Sequence, residues 1–268
     1  MLYIDQTGRK VEINDAPKRI VSLVPSQTEL LYHLGLDQEV AGITKFCVHP
    51  HHWFQNKLRV GGTKQIHIEK IKALDPDLIL ANKEENLRDD IEKLSKEFPV
   101  WVSDVDNLES ALSMIGSVGH IVNKSSEADI LIHEISKRFL LLKKEEPLMN
   151  VCYLIWQDPF MTVGGDTFIS NMLHHAGFQN IFSDHTRYPE ITMEQLSTLP
   201  YDVLMLSSEP FPFSEKHIQL LQPIIHSKII ILVDGEMFSW YGSRMLNSPG
   251  YFNQLKQQVL SLKHAAGT

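Results

Sequence analysis

No stretch of this 268-residue chain approaches the roughly 20 consecutive apolar residues that span a membrane, so the sequence argues against insertion. Basic residues are also short, with 25 Lys and Arg against 33 Asp and Glu. The formal net charge of −8 speaks against a general affinity for nucleic acid or an anionic membrane surface. Cysteine is nearly absent. Cys47 and Cys152 fall in different halves, are read as free thiols, and indicate no redox compartment. Catalytic signatures are missing too: there is no Gly-x-Ser-x-Gly elbow, P-loop or His-Glu-x-x-His, and Gly164-Gly165-Asp166 is too short for a dinucleotide fingerprint. Nothing before Arg19 has the pattern of a secretory signal, which places the chain as given in the cytoplasm, or outside the cytoplasmic membrane if a signal has been removed.

What is present is a repeat. Residues 68–80 (IEKIKALDPDLIL) recur as residues 193–205 (MEQLSTLPYDVLM), matching in residue type at most positions. Each copy predicts a short helix opening on a glutamate, Glu69 or Glu194, then a leucine (Leu74, Leu199), an aspartate (Asp77, Asp202) and an unbroken apolar strand. Such a run after a helix reads as a strand buried on both faces of a parallel sheet. At 43% hydrophobic residues the chain has the apolar content for two cores, each of about 100 to 150 residues. Duplicated α/β lobes predict a ligand cleft between them.

Residues 3–13 read as a hairpin around a Gln-Thr-Gly turn, followed by a strand over 20–24 and a helix over 25–34 that stops at Gly35. Further strands are expected over 40–44, 78–81 and 100–102, with helices over 87–98 and 108–122. The second half repeats the scheme with a strand over 151–156, a helix over 168–176 ending at Gly177, and strands over 203–206 and 229–233. The interval from Gly35 to Glu69 is twice that from Gly177 to Glu194, so the first half carries an extra loop. Between the halves, Ala128, Leu131, Ile132, Ile135, Phe139 and Leu142 recur at a helical period. They predict a helix of about 30 Å over 125–145, capped by Ser125 or Ser126 and ended by Pro147. The expected organisation is α/β: two Rossmann-like lobes with parallel sheets, residues 1–124 and 147–268, joined by a backbone helix over 125–146. A helical connector predicts lobes that move little against each other.

Four segments carry a resemblance: residues 19–29 (RIVSLVPSQTE), Val60-Gly61-Gly62 with residues 68–71 (IEKI), residues 158–168 (DPFMTVGGDTF) and residues 188–196 (YPEITMEQL). The chain resembles the helical-backbone metal receptor family over essentially its whole length. These class III periplasmic-binding-protein-like receptors serve ABC importers for cobalamin, siderophore iron and haem. The DPFMTVGG stretch and the Tyr188-Pro189-Glu190-Ile191 segment are most similar to the cobalamin-binding branch. The resemblance implies a substrate-binding protein, not an enzyme, that captures a corrinoid for ABC-type import or intracellular carriage and needs no cofactor. It implies a small metal chelate as ligand, an ABC permease as possible partner, and a monomer. Family members dock on their permease through one acidic residue per lobe, matched by Glu69 and Glu194; the plain alternative is that these glutamates only answer the helix dipole.

A corrin has apolar faces and an amide-fringed rim, which call for aromatic rings and a few hydrogen-bonding groups. The first-lobe candidates are Phe46, at the place of a family cleft aromatic, with Trp53, Thr63 and Lys64. In the second lobe Trp156, Phe160, Met161 and Thr162 follow the first strand's C-terminal end, the edge where open α/β sheets bind ligands. Phe238, Trp240, Tyr241 and Arg244 follow the last strand. Each aromatic alone is more often core than ligand wall, but their concentration in post-strand loops reverses that for Trp156, Phe160, Trp240 and Tyr241, and Arg244 could meet a ligand anion or hold its loop through an acid such as Asp234. The extra loop, residues 47–53 (CVHPHHW), offers His49, His51 and His52 as metal ligands, although the spacing lacks the second ligand pair of a structural zinc site. His174 and His175 are expected on a helix, solvated or packed. An alternative keeps the fold and changes the ligand to a ferric siderophore or haem, with Tyr188 or the histidine loop meeting iron; Arg187 and Arg244 are thin provision for an anionic siderophore. A metal-dependent hydrolase using Glu209 or Asp158 as base is the minor alternative.

Overall fold

The computed structural model of the chain describes residues 1–14, 16–142, 148–225 and 228–266. The chain forms two compact units: Met1–Val105 with Glu109–Ile135 and Trp240–Arg244, and Asp106–Leu108 with Ser136–Ser239 and Met245–Thr268.

In the first unit a hairpin of β1 (Leu2–Ile4) and β2 (Lys10–Glu12) precedes β3 (Ile20–Ser22), α1 (Pro25–His33), β4 (Val40–Ile43), α2 (His51–Asn56) and β5 (Leu58–Arg59). There follow α3 (Ile68–Leu74), β6 (Leu78–Asn82), α4 (Arg88–Leu94), β7 (Val100–Ser103) and α5 (Leu108–Ile121). The described strands β5-β4-β3-β6-β7 pair in that order, all parallel. Every residue of β6 and β7 is buried, as continuous apolar runs in a sheet covered on both faces must be.

α6 (Ser125–Leu140) leads to the second unit, with β8 (Met149–Leu154), β9 (Phe160–Met161), α7 (Phe168–His175), β10 (Phe178–Asn180), β11 (Glu190–Ile191) and α8 (Met193–Thr198). β12 (Val203–Ser207), α9 (Glu215–Leu221), β13 (Ile229–Val233), α10 (Glu236–Ser239) and α11 (Ser248–Ala266) complete it. Its described main sheet, β10-β8-β12-β13, is again parallel, and β9 and β11 form a small antiparallel ribbon. The repeat is therefore topological: β4, β3, β6 and β7 correspond to β10, β8, β12 and β13.

The repeated residues have structural work. Asp77 accepts from the backbone N–H groups of Lys18 (2.7 Å) and Arg19 (2.8 Å), fixing the entry to β3. Its repeat mate Asp202 accepts from the N–H of Asn150 in β8 (3.0 Å). Gly35 and Gly177 follow α1 and α7 at φ +80° and +86°, a conformation that costs glycine nothing and lets both helices stop.

The unit boundaries differ from the expected lobe–helix–lobe division, because α6 is not free-standing. Ala128 abuts Gly119 of α5, seating the first part of α6 on the first unit. Phe139 meets His175 and Phe252 edge-on in the second. The expected helix end near Glu145 and its terminator Pro147 lie outside the described residues. Trp240–Arg244 returns to the first unit because Gly242 lies close to Ser26, Leu30 and Met114, and Arg244 pairs with Glu29.

Candidate functional site

Parallel sheets end all their strands on one edge, and in each unit that edge carries the chemistry-bearing loops. In the first unit it is polar. Thr28 Oγ1 lies 2.8 Å from Ser22 Oγ and 3.0 Å from Cys47 Sγ, Gln27 Nε2 donates to Ser103 Oγ at 2.5 Å, and Asn82 Nδ2 donates to the same oxygen at 3.0 Å. Asn82 Oδ1 then accepts from the N–H groups of Glu84 (2.8 Å) and Glu85 (3.0 Å), while Asn86 Nδ2 donates to the Thr63 carbonyl (3.0 Å). This network holds the loop of Glu84 and Glu85 beside Thr63 and Lys64, whose ammonium donates to the Glu84 carbonyl. Phe46 lies against Gly62, 50% exposed, with Lys45 Nζ 5.0 Å from its ring centroid.

The other first-unit candidates are buried or engaged. Trp53 is 1% exposed and donates through Nε1 to Asp37 (2.5 Å), with Tyr32 edge-on. The extra loop folds as helix α2 and points this ring inward, so Trp53 is a core residue and not ligand wall. Trp240 and Tyr241 are each 6% exposed. His49 stands edge-on to Trp240, and the Arg244 guanidinium lies 5.1 Å from the same ring. Arg244 makes two bonds to the carboxylate of Glu29, at 2.8 and 3.0 Å, so the acid that holds its loop is Glu29 and not Asp234. Burial pushes the Tyr241 hydroxyl far above its ordinary pKa, and burial likewise raises the Cys47 thiol, keeping it protonated and removing it from the histidines as a thiolate ligand.

The histidine loop does not converge. His51 Nε2 lies 2.9 Å from Gln55 Nε2, His52 is edge-on to Tyr32 and His49 to Trp240. Among the described residues no three His, Cys, Asp or Glu side chains come together to hold a metal ion.

The second unit's edge is aromatic. Trp156 is 39% exposed and stands edge-on to Phe211, ring centroids 5.6 Å apart. Met161 donates its N–H to the Trp156 carbonyl (3.1 Å), which ties this ring to the ribbon of β9 and β11 that carries half-buried Phe160 and Met161. Thr162 is fully buried and donates to the Tyr153 carbonyl (2.8 Å), so it braces the ribbon and offers no surface. Phe238 is fully buried between Tyr153 and Phe252, a core residue and not a cleft aromatic. Tyr188 is half-buried just before β11. Glu209 accepts from Ser239 Oγ, and Asp158 is exposed. Gly164 runs so close to the His185 carbonyl, 2.5 Å from where its Cβ would stand, that no side chain fits at this backbone crossing. Phe211, in residues 209–213 (EPFPF) after β12, and Glu85, in residues 82–86 (NKEEN) after β6, are the site neighbours that residue-level reading missed. Their signal was position alone: polar or proline-flanked loops following buried strands.

Glu69 and Glu194 are both exposed in the first turns of α3 and α8. α8 is closed by a capping box of Thr192 and Gln195, so Glu194 is not needed as a cap.

The sequence profile of the periplasmic binding protein family matches residues 20–225. The chain belongs to the periplasmic binding protein family. Among relatives of this binding protein, an uncharacterised ABC transporter substrate-binding lipoprotein of Bacillus subtilis, YvrC, is 30% identical over 75% of the chain and 67% of the relative. A vitamin B12-binding protein of Vibrio campbellii is 28% identical over 72% of each. Two solved structures share the fold of this binding protein: the vitamin B12-binding protein BtuF of Vibrio cholerae (TM-score 0.73, 20% identity, 92% of this chain and 99% of that one) and a periplasmic heme-binding protein of Pseudomonas aeruginosa (TM-score 0.77, 18% identity, 89% and 92%).

Proposed function

We propose that the chain is the substrate-binding protein of an ABC importer, that its ligand is a corrinoid of the cobalamin type, and that it performs no chemistry on that ligand. The observation that carries this reading is the pair of exposed rings at strand C-terminal edges, Phe46 in one unit and Trp156 in the other. A large flat apolar ligand is what such rings hold. Both candidate arginines are engaged by acids, Arg244 by Glu29 and Arg187 at 3.6 Å from Asp166, which leaves lysines such as Lys45 beside Phe46 as the provision for anions. The vitamin B12-binding relatives point to the same ligand class. A haem or ferric siderophore is the second reading, favoured by the heme-binding proteins that share the fold.

The protein works outside the cytoplasmic membrane rather than in the cytoplasm, a reading supported by the relative named as an ABC transporter substrate-binding lipoprotein. It delivers to a permease by way of Glu69 and Glu194, exposed at equivalent places in the repeat. Titration of the purified chain with cyanocobalamin and with haemin, followed by tryptophan fluorescence and the visible spectrum, tests the ligand. Saturable one-to-one quenching by cyanocobalamin is expected. A shifted Soret band with haemin and no response to the corrinoid would move the assignment to the second reading.

A further inference from the structure

Most acids of the first unit near a cation are neutralised. Glu29 holds Arg244, Asp104 holds Lys83 and Glu97 holds Lys72, each at 2.6–2.8 Å. Glu85 differs. Its backbone is fixed by Asn82 Oδ1, and its side chain is half-buried, yet no hydrogen bond or ion pair to its carboxyl exists among the described residues. The titratable groups within electrostatic range are Lys64, Glu84, Cys47 and Tyr241, and the Lys64 ammonium is bonded to the Glu84 carbonyl. Burial, partly offset by Lys64, pushes the Glu85 pKa up, as expected of a carboxyl short of partners. The same loop is tied through Asn86 to Thr63, next to the Gly62 that Phe46 covers, so the unpartnered carboxyl and the exposed ring belong to one surface.

We infer that Glu85 sets the charge class of the ligand: its carboxyl accepts hydrogen bonds from N–H groups on the rim of an uncharged or cationic chelate and disfavours chelates that carry carboxylates. This rests on the reading of that surface as the ligand surface. A half-buried acceptor that a ligand covers without offering a donor loses its remaining water, and a like charge brought beside it costs more, so a rim of primary amides is matched and a rim of carboxylates is rejected.

The test is the ratio of dissociation constants for haemin, which carries two carboxylates, and cyanocobalamin, whose rim bears amides, measured on the full chain at pH 8. Glu85→Gln keeps the shape and removes the charge, and is expected to lower the preference for cyanocobalamin by about tenfold, the scale of one screened like-charge contact. Glu85→Asp should retain the preference. Lys64→Gln, at an exposed position where folding is not at risk, should raise it. Cyanocobalamin binding with a ratio unmoved within about twofold in both Glu85→Gln and Lys64→Gln would overturn the role of Glu85 and leave the corrinoid reading standing. A wild-type chain that prefers haemin, or binds neither probe, would overturn both.

Discussion

The two units share a strand order but not an edge. β4-β3-β6-β7 and β10-β8-β12-β13 are the same arrangement, entered in each case under the clamp of a repeat-related aspartate, Asp77 or Asp202. In the first unit the extra loop adds α2 and β5, and the strand-end loops are amide- and hydroxyl-rich, with one exposed ring at Phe46. In the second, the equivalent loops build an antiparallel ribbon and an aromatic pair, Trp156 with Phe211. A duplicated scaffold keeps what holds its strands and diverges where its strands end, which leaves the first unit a polar edge and the second an aromatic one.

The sharpest way to break this comparison is to exchange the roles of buried and exposed rings. Trp53→Ala and Phe238→Ala each remove a ring from a filled core and should cost about 3–5 kcal/mol in urea unfolding, one from each unit. A loss under about 1 kcal/mol at either would mean that the ring is not core. Trp156→Ala should instead change stability by less than about 1 kcal/mol while weakening cyanocobalamin about tenfold or more by fluorescence titration, with Phe46→Ala following at a smaller loss. The aspartate clamps sharpen the comparison further. Asp77 holds two backbone N–H groups and Asp202 one, so Asp77→Ala should destabilise by about 2 kcal/mol and Asp202→Ala by about 1, both discounted for their partial exposure. The smallest expected effect is at the exposed glutamates. Glu69→Ala and Glu194→Ala should leave stability within about 0.5 kcal/mol and ligand affinity unchanged, while lowering stimulation of the permease ATPase.

The scaffold was legible because its signals are local. The runs Leu78–Asn82 and Val203–Ser207 follow helices in both copies, and Gly35 and Gly177 mark helix ends by their positive φ. Less of the site was legible, because whether a ring faces core or solvent depends on which helix face carries it. Trp53 and Phe238 sit in loops by sequence and in short helices by structure, which turns both inward. The return of Trp240–Arg244 to the first unit is tertiary: it rests on the Glu29–Arg244 pair, far apart in sequence. Glu85 was invisible for the opposite reason, since an acid in a polar loop is ordinary until its carboxyl proves to be half-buried and unpaired.

The most direct test of the account is a crystal structure of the chain grown with cyanocobalamin. A corrin ring against Phe46 or Trp156, with a rim amide within hydrogen-bond distance of the Glu85 carboxyl, is the expected result. A bound corrinoid that touches neither ring, or saturated crystals with no corrinoid at all, would contradict it.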